Sequence, residues 1–196
     1  MEPLDRSSAR QVTGELEGAL QMAIMAIAPH QLATLETPGD DSFRQWLGGS
    51  FLNLLGPHAF RVAAHAGKGQ VREILAIDRQ LGEVDGFCGQ PWQRSVAAGA
   101  VILEARSGLR SCPVLSRMAA AVASAAAPGH HATVFAAQAA VLHLSTQAIL
   151  VALVFDEWRR ANGCAGVVGF RRLLPEVTFV AARIYAGDER QGLRIA

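Results

Sequence analysis

The chain is short of charge, of aromatic rings and of cysteine, and the shortages narrow the function classes open to it. Asp, Glu, Lys and Arg make up 18% of the 196 residues while apolar residues make up 51%. So little charge suits a surface partly covered by a second copy or a larger partner. A net charge of +1 gives no electrostatic pull toward nucleic acid or an anionic bilayer, so neither is expected as a partner. The cysteines, Cys88, Cys112 and Cys164, are odd in number and make no C-x-x-C pair. That argues against a zinc knuckle or a disulfide framework and for free thiols in a reducing cytoplasm. Residues 1–10 carry Glu2, Asp5, Arg6 and Arg10 and no apolar centre, which does not read as a signal peptide.

The longest absence is internal. Ala132 to Phe155 contains no Asp, Glu, Lys or Arg, a length comparable to the roughly 20 apolar residues of a membrane span. Thr133, Gln138, His143, Ser145, Thr146 and Gln147 interrupt it, and polar groups in lipid are costly unless satisfied. Ser145-Thr146 is an N-cap signal for a second helix. Pro128 to Arg160 therefore reads as a buried helical hairpin, with His143 expected as a hydrogen-bonded core residue.

What is present elsewhere is helical. Leu16, Ala19, Leu20, Ala23, Ile24 and Ile27 form a stripe at three- and four-residue spacing over Glu15–Ala28, ended by Pro29. Asp40, Asp41 or Ser42 can cap the next helix, along which Phe43, Trp46, Leu47, Phe51, Leu54 and Leu55 repeat. Gly48-Gly49 inside it either admits another helix closely or marks a kink. Gly56-Pro57 punctuates, and a short helix resumes over Ala59–Ala66. Gly67-Lys68-Gly69 lacks the spacing and the preceding strand of a phosphate loop, so it reads as a turn. Further helices follow over Val71–Val84, Trp92–Leu109 and Cys112–Ala127, with a small-residue surface at Ala97, Gly99 and Ala100. Asn162-Gly163 closes the hairpin. Val177 to Val180 has strand propensity, but no other stretch offers a strand to pair with, so a helix starting near Pro175 is expected. The fold class is all-α: a single-domain helical bundle of about seven or eight helices over 15–186, with a flexible leader (1–14) and a flexible tail (187–196).

No catalytic signature emerges. There is no G-x-S-x-G elbow and no cysteine–histidine pattern. The acids Asp40, Asp41, Glu73, Glu83, Asp156 and Glu157 are expected in caps and on solvated faces, and Asp78 as a surface ion-pair partner. His130 and His131 are the metal candidates if any exist, but adjacent helical residues point about 100° apart and no Cys, Asp or Glu set accompanies them. His30, His58 and His65 fall in loops or helix ends without an H-E-x-x-H pattern. On this reading the chain is not an enzyme, with no catalytic residue, no metal and no cofactor.

Several segments resemble the UreF family of urease accessory proteins. Gly129-His130-His131-Ala132-Thr133-Val134-Phe135-Ala136 is similar to that family's His-Ala-Pro-Val-Phe-Gly helix start. Ser95 to Leu103 resembles its Ser-x-x-Gln-Gly-x-x-Leu-Leu helix, and Glu15 to Gln21 its Gly-Leu-Glu-Ala-Ala-x-Gln segment. Ser42 to Leu47 and Ala76 to Leu81 occur in the same order between them. The family's motif proline is Thr133 here, its glycine Ala136, and its glutamine before Gly99 is Ala98. The family's proline- and glycine-containing opening segment is missing, and Ala161 to Phe170 has no clean match to its Arg-Leu segment.

The resemblance implies a non-enzymatic, cytoplasmic scaffold that dimerises. It would bind a UreD (UreH) accessory protein and recruit the GTPase UreG, whose cycle delivers nickel to apo-urease. It makes His130, His131, Phe135, Ser95 and Gly99 structural or interfacial rather than catalytic. The competing expectation is an unrelated all-α ligand-binding or regulatory module, with a cavity lined by Trp46, Trp92 or Trp158.

Overall fold

In the computed structural model the described residues are 39–84, 90–105, 112–162 and 166–192. They build an all-α bundle: α1 (Asp40–Trp46), a π-helix (Leu47–Leu55), α2 (Gly56–Ala66), α3 (Val71–Gly82), α4 (Gln90–Ala105), α5 (Pro113–Ala123), α6 (His131–Val141), α7 (Thr146–Asn162) and α8 (Gly166–Gly192). The first three run on without a break, giving seven helical rods and no strand among the described residues. The expected helix Glu15–Ala28, the leader, Cys88, Cys164 and residues 193–196 lie outside the described residues.

At the centre stands α6, packed by α2, α3, α4, α5 and α7. His131 through Ala140 are all buried, so this helix has no solvated face. It is built from alanines with Val134 and Phe135, small enough for neighbours to close in on every side. Its C-terminus is a Schellman motif: the Leu144 N–H donates to the Ala139 carbonyl and the His143 N–H to Ala140. His143 holds the left-handed position at φ 61°, where glycine is the usual residue. The expected core histidine is thus exposed, because the turn it makes lies at the surface. Ser145 then caps α7 as the sequence suggests, its Oγ accepting from the Ala148 N–H at 3.3 Å.

Other boundaries shift for local reasons. Neither Asp40 nor Asp41 nor Ser42 caps α1; Gly39 does, at φ 119°, and the two aspartates fall in the first turn, where they suit the helix dipole. The chain does not break at Gly56-Pro57. The Gly56 N–H still bonds in π register to the Phe51 carbonyl, and Pro57, which has no N–H, sits where the ladder returns to α spacing. A Cβ on Gly56 would come 2.3 Å from the Ile184 Cδ1 of α8, so this glycine sets a helix–helix contact. Gly48 and Gly49 belong to the π segment, and a Cβ built on either would meet nothing within 4 Å. Gly67-Lys68-Gly69 is a turn, with Gly69 at φ 69°. The segment α5 ends at Ala123, before Ala125 turns left-handed at φ 56°.

The helix expected near Pro175 begins at Gly166 and passes through that proline. It continues to Gly192, into the stretch read from the sequence as tail. The apolar residues Phe170, Leu173, Val177, Ala181 and Ile184 bury one stripe against α7 and α2. No helix among the described residues is long and apolar enough to cross a membrane.

Candidate functional site

The polar residues of interest gather at the start of α6. Its first N–H groups have no intrahelical partner and lie in the interior, where an unpaired donor is expensive. Asp78 of α3 supplies the acceptor. Its Oδ2 takes the Gly129 N–H at 2.6 Å, and its Oδ1 the His130 N–H at 3.0 Å and the Thr133 hydroxyl at 2.6 Å. Ser95 of α4 adds a third acceptor, its Oγ taking the His131 N–H at 3.3 Å. The Thr133 hydroxyl proton is committed to Asp78, so its oxygen accepts from His58 Nε2 at 2.7 Å. Burial foremost, with Arg61 and His130 adding to it, pushes His58 down to about 3, so it is neutral at physiological pH and donates from Nε2.

Two corrections follow. Asp78 is buried rather than a surface ion-pair partner, and His58, expected in a loop or at a helix end, is buried within α2, which runs on from the π-helix. Asp78 falls on the same stripe as Ile74, Ile77 and Leu81, and the positive end of α6 holds it there.

Gly99 makes the geometry possible. A Cβ at that position would lie 1.9 Å from the Gly129 carbonyl oxygen, so α4 meets the turn backbone to backbone. Gly129 itself has φ 73°, the left-handed turn that aims successive N–H groups at Asp78. His130 stacks edge-on against Trp92, ring centroids 5.7 Å apart; burial lowers its pKa, against a raising pull from Asp78.

On the other side of α6 lies a buried ionic cluster. His131 Nε2 stands 2.8 Å from Asp156 Oδ2, and its Nδ1 3.0 Å from Glu157 Oε1. Arg160 Nε bonds Asp156 Oδ2 at 2.9 Å, and its Nη2 reaches Glu157 as well as the imidazole. Arg159 Nη2 bonds Asp156 Oδ1 at 3.1 Å. Burial raises the Asp156 carboxyl, but Arg160 above all, with His131 and Arg159, outweighs it and holds Asp156 down to about 2. Asp156 and Glu157 are therefore core residues, not the solvated acids expected from the sequence.

The structure thus brings His130, His131, Phe135, Ser95 and Gly99 together, and buries them all. Their observed contacts run between elements of this one chain. Asp78, His58, Thr133, Asp156, Glu157 and Arg160 join them, unassigned by the sequence reading although helical spacing placed several on buried stripes. Both carboxylate sets are enclosed, and their observed partners are groups of the protein itself. Neither the groove at the start of α3 nor the one beside α8 is lined by a tryptophan. Trp46 and Trp158 instead pack into an aromatic core around Phe43, with Trp158 edge-on to Phe43 at 4.9 Å.

Comparison with known proteins matches these elements. The family model UreF covers residues 39–160, from the start of α1 to Arg160 of the ionic cluster. No curated protein and no solved structure matches the chain. The match takes in well over half of the sequence, and the chain belongs to the UreF family of urease accessory proteins.

Proposed function

We propose that this chain is a non-catalytic scaffold for urease maturation: a cytoplasmic homodimer that recruits a UreG-type GTPase and a UreD (UreH)-type accessory protein to apo-urease for nickel insertion. The observation that carries this reading is the family match over residues 39–160. The geometry supports it physically. The polar residues that resemble family motifs are spent on fixing the start of α6 against α3, α4 and α7, which makes the outer faces rigid surfaces for partners to cover. Sparse charge over the whole chain fits the same role.

The test is affinity capture of the tagged full-length chain from cells expressing the urease structural and accessory genes. A GTPase and a second accessory protein should co-purify with it, and the chain alone should bind no GTP. Recovery of neither partner overturns the reading.

A further inference from the structure

No further inference is drawn: the strongest candidate, the outward face of α8 on which Phe179 stands exposed between Arg172 and Arg183, carries nothing, because nothing among the described residues shows what covers it.

Discussion

The two buried carboxylate sets flanking α6 solve one problem in different ways. Asp78 has hydrogen-bond donors for partners: two backbone N–H groups and a hydroxyl at the positive end of a helix. Asp156 and Glu157 instead have cations, Arg160 and Arg159, and meet α6 through its first residue, His131. The first arrangement uses fixed dipoles and joins α3 to the turn before α6. The second uses side-chain charge and joins α7 to the first turn of α6. The contrast teaches that a buried acid reports how it is satisfied, not that it reacts. It also predicts different sensitivities on the two sides.

The largest effect should come from breaking the ionic side. Arg160→Met leaves two enclosed acids short of a counter-charge, and removing one partner from a buried ion pair costs about 3–5 kcal/mol. Urea denaturation should show it as a lower midpoint with an unchanged slope. On the dipolar side, Asp78→Asn keeps the shape but turns an amide N–H toward one of the donors. About 2–3 kcal/mol should be lost, within the range for charged hydrogen bonds and unsatisfied groups.

Acid should separate the two sides. The unfolded chain protonates His58 near 6.5, whereas the folded chain resists down to about 3. The unfolded state thus binds the extra proton, and stability falls as pH drops through that window. The loss from this group should be about 2 kcal/mol between pH 7 and 5. Asp156 titrates near 3.8 when unfolded and about 2 when folded, so its contribution persists above the upper value and is lost only below it. A His58→Gln variant should flatten the upper window of a stability–pH curve and leave the lower one. The smallest effect expected is a gain. His143→Gly relieves a left-handed residue in a turn remote from both sets and should stabilise by about 0.5–1 kcal/mol in the same urea assay.

Much of the fold was legible because apolar spacing writes it directly: the charge-free hairpin, its restart at Ser145 and the all-α class follow from pattern and caps. The candidate site was only half legible. His130, His131, Phe135, Ser95 and Gly99 do converge, but the acids that organise them were assigned to solvent by residue type. Spacing pointed the other way. Asp78 continues the stripe of Ile74 and Leu81, and Asp156 and Arg160 continue that of Ile149 and Leu153. His58 was misread because Gly56-Pro57 looked like a break, and the π register that carries the helix across it has no simple sequence mark. The position of His143 depended on which residue became left-handed, which a helix–turn boundary leaves open by a residue or two.

The central claim is that the enclosed charges hold shape and do nothing else, and replacing the ionic set as a whole tests it. His131→Leu, Asp156→Leu, Glu157→Met and Arg160→Met together exchange the set for apolar side chains, a change that is often neutral or stabilising when the cluster is purely structural. A folded protein within about 2 kcal/mol of the original is expected, still capturing the GTPase and accessory protein of the proposed scaffold role. A variant that folds as well but captures neither would contradict it.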